Sequence, residues 1–270
     1  MICFPNAKIN LGLNIVSKRP DGFHNIETIF YPITLSDVLE FIEGNDNSTS
    51  IKSTGNCLNI PDNQNICIKA YELLSKDFAL APLEIYLHKV IPSGAGLGGG
   101  SSDAAFFLKS LNSHFKFGLS DNELEAYAAQ LGSDCPFFIR NNSAFATGKG
   151  EIFEKNNLDL SNYYIYLVKP DVFVSTAVAY NSIVPALPKY SLKDLINQPM
   201  ESWKDMILND FESNIFKIHP LLEQIKLQLY NHGAIYASMS GSGSSIYGIF
   251  KNRPEKIKDF DSHYSWISKL

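Results

Sequence analysis

The sequence predicts an α+β protein of two domains, and three observations lead there. An alternating apolar and polar hairpin opens the chain. A later strand runs through a cluster of glycines into a capped helix, and beyond residue 162 short strands and helices alternate. The 270 residues are 45% hydrophobic and 19% charged, a balance that suits a chain able to bury a core.

Residues 8–16 alternate strictly. Ile9, Leu11, Leu13 and Ile15 fall on one face and Lys8, Asn10, Gly12 and Asn14 on the other, the period of a half-buried strand. Arg19-Pro20-Asp21-Gly22 supplies turn chemistry, and residues 23–31 return as a second strand. The polar stretch 43–56 separates this hairpin from helical patterning that begins near Ile66. A strand over 83–91 leads into IPSGAGLGGGSSDAA, and Ala104, Phe107, Leu108 and Leu111 follow at helical spacing, with Ser101 or Ser102 as the cap. Ser120 and Glu123 form a capping box for a further helix that stops at Gly132. The polar run EKNNLDLSN, residues 154–162, divides the chain into domains 1–155 and 156–270, and the strand YYIYLVK follows it. A helix from Pro220 to His232, ended by Gly233, and two strands flanking Gly241-Ser242-Gly243 complete the second domain.

Composition excludes several function classes. The net charge is −5 and only three arginines are present (Arg19, Arg140 and Arg253), so a nucleic-acid partner is not expected. Phosphate chemistry must lean on lysine, backbone amides and metal. The four cysteines form no C-x-x-C pair and no histidines stand at ligand spacing, which reads as reduced thiols in the cytoplasm. The N-terminus lacks a basic segment and meets Pro5 and Lys8 early, so it is no signal peptide. No apolar run approaches the roughly 18 residues of a membrane helix.

Five glycines (Gly94, Gly96, Gly98, Gly99 and Gly100) fall between a strand and a helix. Such a loop lets backbone N–H groups converge on an anion at the positive end of the helix. No G-K-[ST] closes it, so it is not a Walker loop, and its spacing is not the dinucleotide fingerprint. A flexible linker is the alternative, which Pro92 and the immediate helix oppose. Lys8 shares a strand face with Asn10, about 6.6 Å along the pleat, and taken alone is a solvent-exposed strand lysine. Asp134, in LGSDCPFF, is a candidate carboxylate or, with Pro136 two residues on, the N-cap of a short helix.

Together with TGKGE (147–151), NDFE (209–212) and SMSGSGSSIYGIF, these motifs resemble the GHMP small-molecule kinases. The opening FPNAKINLGLNIVSKRPDGFHNIETIF is similar to the branch that acts on 4-diphosphocytidyl-2-C-methyl-D-erythritol. The resemblance implies a two-domain α+β architecture with the active site in the interdomain cleft. It implies transfer of phosphate from ATP to the 2-hydroxyl of that cytidyl substrate, in the non-mevalonate isoprenoid pathway. Lys8 and Asp134 would be catalytic. Pro92, Ser93, Gly94, Ala95, Gly96, Leu97, Gly98, Gly99, Gly100, Ser101 and Ser102 would bind ATP, with Mg²⁺ expected and its ligands unassigned. Asn10, Phe23, His24 and Tyr180 would contact the substrate, His24 on the cytosine edge and the two aromatics by stacking. Phe23 stands where the family commonly has tyrosine, which keeps the stacking face and drops the hydroxyl. An ideal straight hairpin would put Asn10 and His24 about seven strand residues, roughly 23 Å, apart, so for one ligand to touch both the strands must bend or twist, with Gly12 a candidate place. A homoserine- or mevalonate-type kinase is one alternative. A non-catalytic RNA-binding module is another, which the charge opposes.

Overall fold

Strands and helices are drawn into two units from interleaved stretches of chain in the computed structural model, which describes residues 1–44, 48–57, 60–181 and 183–270. One unit comprises Met1–Ala7, Leu35–Ser93 and Gly98–Asn142; the other comprises Lys8–Thr34, Gly94–Leu97 and Ser143–Leu270. This grouping by spatial contact differs from a division by composition after residue 155.

The first unit holds a four-stranded sheet in the order Ile2–Cys3, Val38–Glu43, Leu83–Lys89, Ser50–Gly55. The first two pairings are antiparallel and the last is parallel. Ser50–Gly55 lies within the stretch read from sequence as a polar connector. As an edge strand with only Ile51 buried, it carries no apolar alternation to find. Helices Ile66–Leu74, Gly99–Phe115, Asp121–Leu131 and Phe137–Arg140 complete the unit. Ala104, Phe107, Leu108 and Leu111 are all fully buried, and Phe107 meets Phe41 edge to face at 5.4 Å. The capping box forms as expected: Ser120 accepts from Glu123 N, and the Glu123 carboxylate accepts from Ser120 N at 2.8 Å.

One cap differs from expectation. The helix after the glycine loop begins at Gly99, its N-cap is Gly98 at φ +71°, and no side chain caps it. Neither Ser101 nor Ser102 takes that position. The left-handed turn needs glycine, and the first N–H groups of the helix are left without a side-chain acceptor.

The second unit contains two four-stranded sheets, in the orders Asn6–Lys18, His24–Ser36, Ala144–Thr147, Ile152–Lys155 and Tyr236–Met239, Ile246–Phe250, Tyr164–Lys169, Tyr264–Lys269. All pairings of the latter sheet are antiparallel. Helix Pro220–Asn231 starts with proline in its first turn, presents Leu222, Ile225 and Leu229 to the core, and is followed by Gly233 at φ +92°. The opening hairpin closes through Arg19 N donating to Phe23 O at 2.8 Å. Its first strand is not half-buried as expected: Ala7 to Leu13 are buried on both faces, because other segments of the same unit cover the polar side. Gly12, inside the first strand, adopts φ +66°, and an added Cβ there would lie 2.7 Å from Leu192.

Candidate functional site

In the second unit the polar face of the first strand is a hydrogen-bonded cluster. Lys8 is 3% exposed; its ammonium donates to Asn10 Oδ1 at 2.7 Å and to Gly96 O at 3.1 Å, and lies 4.8 Å from the Phe30 ring centre. Asn10 Nδ2 donates to Thr28 Oγ1 at 3.0 Å, and Thr28 in turn donates to Gly12 O at 2.5 Å. Lys8 is therefore not the exposed strand lysine that its spacing alone suggests. A buried ammonium needs acceptors on hand, and this strand face and the glycine loop supply them.

A second glycine-rich segment, residues 240–245, packs against the first. Ser240 Oγ donates to Gly96 O at 2.8 Å and Ser245 N to Ala95 O at 3.2 Å. Gly96 sits at φ +74°, and a Cβ there would fall 2.0 Å from Ser240 O, so only glycine fits. The NDFE motif braces this segment. Asn209 Nδ2 donates to Met239 O and Gly241 O, both at 2.8 Å, and Glu212 Oε1 accepts from Met239 N at 2.7 Å and Ser238 Oγ at 3.0 Å. Asp210 Oδ2 accepts from Ile15 N at 2.7 Å, and Tyr247 OH donates to Asn10 O at 2.6 Å. Sequence reasoning named none of these bracing residues as part of a site. The repeated Gly-Ser pattern of 240–245 was the signal available.

Near the hairpin tip, His24 and Tyr180 stack at 5.0 Å with 22° between their rings, and Phe211 meets Tyr180 edge to face at 4.9 Å. Burial, then the nearby Lys18 charge, hold the His24 imidazole below its usual range, so it is mainly neutral at pH 7. Phe23 is 58% exposed with the Lys149 ammonium 4.7 Å from its ring centre. His24 and Tyr180 are thus brought together, and Phe23 pairs with a lysine that sequence reasoning passed over.

In the first unit, Pro92 and Ser93 form the stem of the glycine loop, with Ser93 Oγ donating to Asn56 O at 3.1 Å. Ser102 is fully buried in the first turns of the following helix. Asp134 lies half-buried in the turn between Gly132 and Phe137. It does not cap the short helix Phe137–Arg140, whose N-cap is Pro136 with no side-chain cap bond. Next to it, burial pushes the Cys135 thiol up to about 11, with a Ser101 hydrogen bond opposing the shift. A Cβ on Gly132 would lie 3.3 Å from Cys135 Sγ and 4.0 Å from Ser101 Oγ, so this turn packs against the start of the glycine-loop helix.

The chain is 52% identical over 273 residues to the 4-diphosphocytidyl-2-C-methyl-D-erythritol kinase of Parabacteroides distasonis, covering all of both chains. It is 55% identical to that of Bacteroides thetaiotaomicron, over 93% of this chain and 92% of the relative. The chain belongs to the 4-diphosphocytidyl-2-C-methyl-D-erythritol kinase family. Within it, residues 65–142 match the GHMP kinases N terminal domain and residues 191–262 the GHMP kinases C terminal domain. A solved structure of a kinase of this family superposes with a TM-score of 0.78 at 28% identity, over 99% of this chain and 98% of that one. The mevalonate kinase of Methanococcus jannaschii shares the fold, with a TM-score of 0.71 at 16% identity over 100% and 98%. The protein is therefore a small-molecule phosphotransferase of α+β GHMP architecture, and among its described residues no helix is long and apolar enough to cross a membrane.

Proposed function

We infer that this protein transfers the γ-phosphoryl group of ATP to the 2-hydroxyl of 4-diphosphocytidyl-2-C-methyl-D-erythritol, a step of the non-mevalonate route to isoprenoid precursors. Residues 1–155 are the ATP-binding half in this reading. The hydroxyl oxygen attacks the γ-phosphorus, the bond to the β,γ-bridging oxygen breaks, and ADP leaves. The Asp134 carboxylate accepts the hydroxyl proton, and the Lys8 ammonium stabilises charge on the attacking oxygen and the transferred group. Residues 92–102 bind the triphosphate through backbone N–H groups and the uncapped start of helix Gly99–Phe115. Asn10 and His24 bind the substrate by hydrogen bonds, and Phe23 and Tyr180 offer stacking faces. Among the described residues no group of three or more His, Cys, Asp or Glu could hold a metal ion. A magnesium ion bound with the nucleotide, its protein ligands unassigned, would lower the charge that the loop must accept. The reaction needs no nucleic acid and no membrane, and it fits a cytoplasmic enzyme.

One observation carries this assignment of chemistry. The buried Lys8 ammonium is bonded at once to a carbonyl of the glycine loop and to the Asn10 amide. A cation held between a phosphate loop and a polar strand face is suited to bridge donor and acceptor. A coupled ADP-release assay on a panel of the cytidyl substrate, homoserine and mevalonate tests the reading. Turnover confined to the cytidyl substrate is expected; turnover with either of the others instead would overturn it.

A further inference from the structure

Three charged side chains that this reaction leaves unused are buried together in the first unit. Lys89, the last residue of strand Leu83–Lys89, donates to Asp37 Oδ2 and, at 2.5 Å, to Asp103 Oδ2. Asp37 is fully buried, and its Oδ1 accepts from the backbone N–H groups of Val90 at 2.6 Å and Ile91 at 2.8 Å. Asp103 stands near the start of helix Gly99–Phe115, is 2% exposed, and its Oδ1 has no hydrogen-bond partner. A Cβ on Gly99 would lie 3.4 Å from the Lys89 ammonium, so the cluster sits directly behind the first residue of that helix.

Lys89 thus joins the strand exit that leads into the glycine loop to the helix that leaves it. The charge balance is unusual. Two ionised carboxylates against one ammonium would bury a net negative charge, one of whose oxygens is bare. Burial pushes the Asp103 carboxyl up to about 8 against the pull of Lys89, and the Asp37 carboxylate pushes the same way as burial. The other titratable groups facing the cluster are the thiols of Cys3 and Cys67, both raised chiefly by burial. On the neighbouring helices, Arg140 pairs with Asp121 at 3.8 Å and with Glu125 at 2.6 Å.

We propose that Asp37, Lys89 and Asp103 are positioning residues for nucleotide binding: they tie the two stems of the glycine loop together, and a proton on Asp103 keeps net negative charge from behind the helix end that receives the triphosphate. The proposal rests on residues 92–102 being the ATP loop. When Asp103 loses its proton, the added buried charge repels the polyphosphate, so affinity falls as pH rises.

The test is calorimetric titration of wild type and Asp103→Asn with the magnesium complex of a non-hydrolysable ATP analogue, from about pH 7 to about pH 9.5, where the nucleotide's own charge is constant. Wild type is expected to lose about tenfold in affinity across that window. Asp103→Asn, which keeps the shape and cannot ionise, is expected to hold the wild-type pH 7 affinity within about twofold throughout. Nucleotide-free melting curves supply a second readout: the wild-type Tm falls over the same window and the variant's does not, because a carboxyl raised in the fold loses stability as pH rises through its folded pKa. A variant with the wild-type pH slope in binding and melting overturns the proposal. Analogue binding with no difference in slope between the two proteins, alongside melting curves that do differ, overturns the positioning role alone. Wild type that binds no analogue at any pH overturns the ATP-loop reading and the positioning role together.

Discussion

Replacing Gly96 with alanine tests the contact between the two glycine segments. The new Cβ would stand 2.0 Å from Ser240 O, where ordinary contact begins at 3.4 Å, and the obstacle is backbone that cannot rotate away. The left-handed φ of +74° adds about 1–2 kcal/mol for a residue with a Cβ. Parting the segments also loses the Ser240 Oγ to Gly96 O and Ser245 N to Ala95 O hydrogen bonds, each worth about 1 kcal/mol net. The sum is about 3–4 kcal/mol, which at about 2–4 °C per kcal/mol lowers the Tm by roughly 6–16 °C. Because Gly96 O is also an acceptor for the Lys8 ammonium, kcat is expected to fall at least tenfold as the amine moves. Gly100→Ala is the control: it meets nothing within 4 Å, so its Tm should match wild type, and only the KM for ATP should rise where phosphate approaches the helix start. Differential scanning fluorimetry and steady-state ADP release read both effects. A Gly96→Ala protein that melts within about 2 °C of wild type and turns over normally would refute the packing argument.

Asp134→Asn is expected to lower kcat by about 10²–10⁴-fold with Tm nearly unchanged, since the amide keeps the shape and hydrogen-bonding reach of the carboxylate and loses only its basicity; near-normal turnover would remove it as the base. His24→Ala should weaken the cytidyl substrate by about 1–3 kcal/mol in direct binding while ATP affinity holds, and Phe23→Tyr should bind as wild type; an equal loss for both ligands would assign His24 to structure. Asn209→Ala leaves two buried carbonyls without their donor and removes the acceptor of Phe211 N, so a loss of about 3 kcal/mol or more is expected in urea unfolding. Asn209→Asp should be worse, because a carboxylate would then face two carbonyl oxygens; equal stability of the two variants would mean that water replaces the brace.

What was legible in the sequence was local. The strand over residues 8–16, the Ser120–Glu123 box and the proline and glycine that bound helix Pro220–Asn231 each depend on neighbours within one turn or strand, and each formed. The burial of Lys8 was not legible, because its cover comes from Gly96 and from a strand joined through Tyr247, far along the chain. The same distance hid the brace at Asn209 and the stacking of His24 on Tyr180. Yet the places where local rules fail are not scattered. A lysine buried on a strand, a left-handed glycine inside that strand and a helix that starts on glycine without a side-chain cap all fall among the motif residues. Each departure costs stability that ordinary packing would keep, and each has a use in the proposed reaction: an amine, a glycine turn or open N–H groups. The buried Asp37–Lys89–Asp103 cluster is a further departure, two acids against one base where an apolar core would be simpler. It stands directly behind the loop that the chemistry requires to be held, and that placement is why its proton, rather than its contribution to the fold, is the quantity to measure.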